Sequence, residues 1–227
     1  MVSDNIFTVS PWLDQLDYDW TDIEKAGKTK HYKKNDMLYH FGDPVQAIYI
    51  VKTGRVRLFL TSIDGREKAI AIIGKNGLLG ESNLYNPSSH ISNAITASPT
   101  TVIAIQKDTF RKAIGNHRHY ANQIIDMISW KVHLLSMHSL QLSFGTSMQR
   151  LCDTFIHLGL TYGQKDRHDN VKISISFTHQ ELADLIGTTR VTVSNHIKRL
   201  ITENLISKPR KFYIIHNMKK LSEMLLE

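Results

Sequence analysis

Cysteine is almost absent from this sequence: Cys152 is the only one in 227 residues. A single thiol cannot close a disulfide within the chain, and it supplies too few thiolates for an iron–sulfur cluster or a cysteine-ligated structural zinc. No stretch approaches the ~18 consecutive apolar residues of a membrane-spanning helix. The start, MVSDNIFTVSPW, lacks the basic-then-apolar order of a secretory signal. A cytoplasmic protein without a membrane partner is expected. Signatures of catalysis are missing as well. There is no P-loop and no Ser/His/Asp pattern, and His31, His40 and His90 lack close ligand spacing, so neither an enzyme nor a resident metal is expected.

Basic charge is missing from the first half and present in the second. Residues 1–106 carry 11 Lys and Arg against 11 Asp and Glu, whereas residues 145–227 carry 12 against 8. The excess is densest from Thr188 to Lys220, where Arg190, Lys198, Arg199, Lys208, Arg210, Lys211, Lys219 and Lys220 face only Glu203. Such a local surface attracts nucleic acid, although a basic face also serves solubility alone.

From about Lys30 to Ile105 the apolar pattern alternates and is broken by turn residues, as in an antiparallel barrel or jelly roll. AIYIVKTGRVRLFL reads as two strands joined through Lys52-Thr53-Gly54, with Val56, Leu58 and Leu60 on one face and Arg55, Arg57 and Phe59 on the other. TSIDGREK supplies the next hairpin through its Asp-Gly pair.

Neither proline nor glycine occurs from His117 to Ser143, and the period there becomes helical. One apolar stripe consists of Ala121, Ile128, Leu135 and Leu142, flanked by Ile125 and Val132; a second consists of Met127, Trp130, Leu134 and Met137. A helix apolar on two sides needs two partners: its own barrel, and a second copy of the chain across Ile125, Ile128, Val132, Leu135 and Leu142. The simpler alternative is one helix buried in a single core. After the Phe144-Gly145-Thr146 break come a helix to about Leu160, the loop TYGQKDRHDN and a strand VKISISF.

FTHQELADLIGTTRVTVSNHIKRLITENLI contains two helix starts and a turn. Thr178 and Glu181 form a capping box, Gly187 ends the first helix, and Thr188 or Thr189 caps the second. Leu182, Leu185 and Ile186 face inward, as do Val193, Ile197 and Leu200. The outward face of the second helix then holds Arg190, Val191, Ser194, Asn195 and Lys198, side chains suited to base edges in a major groove. The basic hairpin SKPRKFYIIHN that follows suits a phosphate-touching wing.

In this order of parts the chain resembles the family of bacterial transcription regulators typified by the cyclic AMP receptor protein and the fumarate and nitrate reduction regulator. The carriers are GDPVQAIYIVKTGRVRLFL, GLLGES and QELADLIGTTRVTVSNHIKRL. The resemblance implies an α+β chain in three parts: a sensing barrel over residues 1–116, a long dimerisation helix over 117–143 and a winged helix-turn-helix over 144–227. It implies a homodimer on palindromic promoter DNA, RNA polymerase as a partner, and an effector that reorients the two recognition helices. Carried onto this sequence, the DNA-binding set is Thr178, Thr189, Arg190, Val191, Thr192, Ser194, Asn195, Lys198, Lys208, Arg210 and Lys211.

GLLGESNLYNPSSHISNAITA matches the effector cradle, and it contains neither Lys nor Arg. Cyclic-nucleotide-binding members have a Gly-Glu pair for the ribose and an Arg-Ser or Arg-Thr pair for the phosphate. Here Gly80-Glu81 is kept, but Ile91-Ser92 replaces the second pair, so the bidentate cation is missing and cyclic AMP is not the expected effector. The oxygen-sensing branch uses cysteines near its start, and residues 1–30 contain none. A small aromatic or weakly acidic effector near Gly80, Glu81, Ser82, Asn83, Ile91, Ser92, Met127, Trp130 and Lys131 is the expectation, with no resident cofactor. A haem-dependent sensor and an effector-independent regulator stay open as alternatives. At the DNA face, Val191 suits a thymine methyl and Asn195 an adenine, which implies an A/T-rich inverted repeat.

Overall fold

The computed structural model describes residues 10–84 and 89–226, except for the side chain of Asn83. The chain divides into two compact units, Pro11–Leu135 and Ser136–Glu227. In the first, β1 (Trp12–Leu13) and α1 (Thr21–Glu24) precede β2 (Lys28–Tyr32), β3 (Met37–Tyr39), β4 (Ala47–Thr53), β5 (Val56–Thr61), β6 (Glu67–Ile73), β7 (Leu78–Leu79), β8 (Asn93–Thr96) and β9 (Thr100–Gln106). Two sheets result, ordered β1-β6-β5-β8-β3 and β2-β9-β4-β7. All pairings are antiparallel except β1 with β6, which sequence alternation does not reveal because β1 is only two residues long.

One face assignment in β5 is corrected. The register slips between Leu58 and Phe59, so Phe59 is only 5% exposed while Leu60 is 40% exposed. The bulge lies on β6, where Ile70 is the extra residue, and beside it Leu58 and Phe59 of β5 are both buried. The Arg57 guanidinium lies 4.6 Å from the Phe59 ring centroid and reaches Glu67 at 2.6 Å, which covers the ring at the sheet surface.

Helix α2 (Lys107–Asn116) leads into α3 (Arg118–Phe144), with His117 extended between them. Trp20 anchors the helices to the strands: its ring stacks on Tyr120 at 5.8 Å and lies 6.3 Å from Phe110, all three fully buried. Its indole N–H donates to the Asn76 carbonyl at 2.9 Å, so no buried donor is left unpaired. On α3 the buried stripe also differs from the expected one. Tyr120, Ile124, Met127 and Leu134 are buried, whereas Trp130 is exposed. The stripe runs at steps of four and three through position 131, so a lysine occupies a place among apolar residues.

In the second unit α4 (Ser147–Tyr162) begins at a capping box of Thr146 with Gln149. A polar hairpin of β10 (Gly163–Lys165) and β11 (Val171–Ile173) follows, and β10 replaces part of the expected loop. All three β10 residues are exposed, so no apolar alternation marks that strand in the sequence. Next come α5 (His179–Ile186), α6 (Arg190–Thr202), the strands β12 (Ile206–Ser207) and β13 (Ile214–Ile215), and α7 (Met218–Glu223), with a sheet ordered β10-β11-β13-β12. Arg150 joins these parts: Nε donates to the Ile186 carbonyl at 2.7 Å and Nη1 to the Gly145 carbonyl at 2.7 Å and the Gln141 carbonyl at 3.2 Å. The carbonyls left open at the ends of α3 and α5 are thereby satisfied by one cation. Among the described residues no helix is long and apolar enough to cross a membrane.

The bulge predicts unequal costs at adjacent positions. Leu60→Ser should change stability by no more than about 0.5 kcal/mol, whereas Phe59→Ser should cost about 3 kcal/mol or more. Urea midpoints compare them, and equal costs would contradict the bulge.

Candidate nucleic-acid interface and sensor cradle

The helix-turn-helix follows from three local devices. Thr178 accepts from the Glu181 amide while the Glu181 carboxylate accepts from the Thr178 amide, which starts α5. Gly187 then adopts φ 67°, a left-handed conformation that ends the helix at little steric cost. Thr189 starts α6 by accepting from the Thr192 amide at 3.1 Å. Behind the turn, Leu182, Leu185, Ile186, Val193, Ile197 and Leu200 are all buried, as their spacing predicts.

This packing leaves a polar face on α6. Arg190, Asn195 and Lys198 are exposed, and so is Val191, at 69%. Val191 is a lone apolar side chain among the three polar ones of this face. Thr189 and Thr192 have their hydroxyls 2.9 Å apart and serve the cap. The Ser194 hydroxyl is engaged by His179 Nδ1 at 2.7 Å. His179 was not in the expected DNA-binding set; its place in the first turn of a capped helix was the available signal.

On the wing, β12 and β13 pair Ile206 with Ile215 and Ser207 with Ile214. Lys208 is half-buried there: Nζ donates to the Tyr213 hydroxyl at 3.0 Å and lies 4.3 Å from that ring's centroid. Burial holds the Lys208 pKa below its ordinary value and pushes Tyr213 up to about 12. Arg210 and Lys211 are the exposed cations of the hairpin.

In the first unit, Gly80 has φ 87°, and a Cβ there would stand 3.1 Å from the Ala47 carbonyl. It opens a single turn over Glu81–Asn83. Glu81 is 3% exposed, and its Oε1 accepts from Lys131 Nζ at 2.5 Å. The same ammonium donates to the Leu78 carbonyl at 3.2 Å, whereas Glu81 Oε2 is buried with no partner among the described residues. Beside this pair the Tyr39 and His90 rings stack at 3.5 Å, nearly parallel. Burial, then the nearby Glu81 charge, raises the Tyr39 pKa; hydrogen bonds with Ser92 and the Gly80 backbone act against that. Burial lowers the His90 pKa, which keeps the stacked ring neutral near pH 7.

Of the nine expected effector residues, Gly80, Glu81, Ser92 and Lys131 are thus gathered. Met127 is core, with its sulfur 3.4 Å from the Leu78 amide. Ser82, Ile91 and Trp130 are exposed, and the Asn83 side chain lies outside the described residues. Tyr39 and His90 complete the group; His90 stands next to Ile91 within the cradle stretch, whereas Tyr39 comes from β3, and nothing in local spacing joined it to the rest.

Fold and face together define a DNA-binding transcription regulator with a sensor-type β domain. The family descriptions "Cyclic nucleotide-binding domain" and "Crp-like helix-turn-helix domain" match residues 29–117 and 149–224. The chain belongs to the CRP/FNR family of transcription regulators. It is 20% identical over 191 residues to the CRP-like cAMP-activated global transcriptional regulator of Mycobacterium tuberculosis, covering 84% of this chain and 85% of that protein. It is 24% identical over 194 residues to the global nitrogen regulator of a Synechocystis species, covering 85% and 86%. The solved structure of FixK2 from Bradyrhizobium japonicum superposes with a TM-score of 0.76 at 21% identity, covering 87% of this chain and 96% of that one. These relatives are regulators, not enzymes.

Lys131→Met should leave the buried Glu81 carboxyl without its ion-pair partner, at a cost of about 3–5 kcal/mol. Adding Glu81→Gln should recover most of that loss in the same urea titration. A double variant no more stable than Lys131→Met would show that the pair does not carry the charge balance.

Proposed function

We propose that the chain acts in the cytoplasm as a homodimer that reads an A/T-rich inverted repeat in promoter DNA through α6 and works with RNA polymerase. The observation that carries this reading is the exposed set Arg190, Val191, Asn195 and Lys198 in front of a fully buried stripe. Arg190 suits a guanine or a phosphate, Asn195 an adenine and Val191 a thymine methyl, while Arg210 and Lys211 supply phosphate contacts. The second copy lies along α3, where Ile125, Ile128, Val132, Leu135 and Leu142 are all exposed, Val132 at 57%. Two-fold symmetry then sets the half-sites about one helical turn apart.

The effector in this reading is a small molecule other than a cyclic nucleotide. Ile91, at the position of the phosphate-holding arginine, is 57% exposed, and the cation that does reach the cradle, Lys131, is already bound to Glu81. Displacing that ion pair demands a ligand able to neutralise one of its partners, such as a weak acid for Lys131. The same pair favours a second reading, a regulator with no effector, in which the protein's own lysine keeps the cradle closed.

Selection from randomised DNA should enrich A/T-rich inverted repeats; half-sites centred on G·C pairs would overturn the proposed readout. On the selected site Arg190→Ala should cost about 1–3 kcal/mol and relax base preference, and Val132→Glu should give monomers in sedimentation and lose the two-half-site complex. A thermal-shift screen separates the effector readings, because a state-selective ligand at 100 times its Kd adds about 2.7 kcal/mol. A phenolic or organic acid should raise the midpoint and cyclic AMP should not. A shift with cyclic AMP would refute the proposed effector class, and no shift with any ligand would favour the second reading.

A further inference from the structure

A cleft of about 560 Å³ lies where α5 and α6 begin, lined by Thr178, His179, Gln180 and Arg190. Its lining is polar throughout. The Gln180 amide nitrogen donates one of its two hydrogens to Asp184 at 2.7 Å. The two lining groups that can bring a positive charge to an anion there are Arg190 and His179. His179 is held by its Nδ1 contact to Ser194, a bond that spans the turn between the helices. Nε2 is therefore the ring nitrogen available to the cleft.

We propose that His179 is a proton-linked DNA contact: it meets a backbone phosphate in this cleft and takes up a proton from solvent as it does so. This inference rests on the reading of α6 as the DNA-binding helix. Without DNA the ring is neutral near pH 7, because partial burial and then the positive charges of Lys208 and Arg190 hold its pKa below the ordinary value. In the neutral tautomer that can donate to a phosphate, the proton sits on Nε2 and the Ser194 hydroxyl donates to Nδ1. Glu181, the acid on the same turn, is committed to the Thr178 amide at 2.7 Å. A phosphate entering the cleft adds a full negative charge and offsets Arg190 and Lys208, so the repulsion that disfavoured the imidazolium becomes attraction. The protonated ring keeps its bond to Ser194 with the polarity reversed, since Nδ1–H now donates to the hydroxyl oxygen. The other histidines of this unit, His138, His157, His168, His196 and His216, are outside the lining of the cleft, and His196 is bound to Ser147 and His216 to Asn170 and Ser207.

The complex then binds more protons than the free protein, so affinity rises as pH falls through the free and bound pKa values of one histidine. One proton gives at most about a tenfold change per pH unit. The experiment is fluorescence anisotropy of the full chain on its selected DNA site, from about pH 5.5 to about pH 8.5 at constant ionic strength. Wild type should bind several-fold more tightly at the acid end. His179→Gln keeps an amide for Ser194 but cannot titrate, and should give a flat profile at the wild-type alkaline affinity. His179→Arg, permanently charged, should give a flat profile at high affinity with a salt slope steeper by about 1. A wild-type pH slope in His179→Gln or His179→Arg overturns the proposal. Arg190→Ala, run alongside, tells the two failures apart: wild-type binding in that variant refutes the α6 reading itself, whereas lost binding together with an unchanged slope in His179→Gln refutes only the role of His179.

Discussion

A charge placed in the apolar stripe of a helix must be neutralised where it sits, and in this protein that demand falls on Lys131. The stripe of Tyr120, Ile124, Met127 and Leu134 carries α3 onto its strands, and Lys131 lies within it. Its ammonium is brought to Glu81 and to the Leu78 carbonyl, so the turn after β7 and the middle of α3 are held by one ion pair. In a dry site both partners lose their hydration, and either one alone would be costly. The position of α3 is thus tied to the turn that the family uses as its sensor. Among the described residues Glu81 retains a buried oxygen without a partner, so the tie is not fully satisfied.

The second unit solves a different problem. A recognition helix must hold its polar face outward without the support that side-chain burial gives, so its stability comes from the other side and from its ends. Val193, Ile197 and Leu200 provide the first, and Thr189 provides the second. Arg150 adds a third support by linking the ends of α3 and α5 through their carbonyls. With the backbone secured in this way, Arg190, Val191, Asn195 and Lys198 are free of structural duties. Ser194 and Lys208, by contrast, are engaged with His179 and Tyr213, so two residues of similar appearance in the sequence have different roles from their neighbours.

Much of this was legible from local pattern. The capping box of α5, the threonine cap of α6, the glycine at the end of α5 and the inward residues of both helices follow from rules that act over three or four positions, and they hold in the structure. The two stripes of α3 were legible in outline, since the exposed one matches its spacing. Trp130 was misplaced because an aromatic residue looks like core to a pattern that cannot see which side of the helix the strands cover. The bulge of β6 beside β5 and the exposed strand β10 were hidden for a related reason: neither leaves an apolar alternation to read.

The sequence by itself determined the order of parts, the family, and the residues that face outward on α6, because helix caps, periods and turn glycines are local and carry their own signal. It also determined that the cradle stretch lacks a phosphate-binding cation, since Ile91 and Ser92 are simply read off. Only the tertiary structure decided what fills that cradle. Lys131 meets Glu81, Tyr39 stacks on His90, and His179 meets Ser194 through contacts between residues 50, 51 and 15 positions apart. Contacts at such separations are chosen by packing, where burial cost and hydrogen-bond satisfaction select one partner among many, and no periodicity in the chain records that choice.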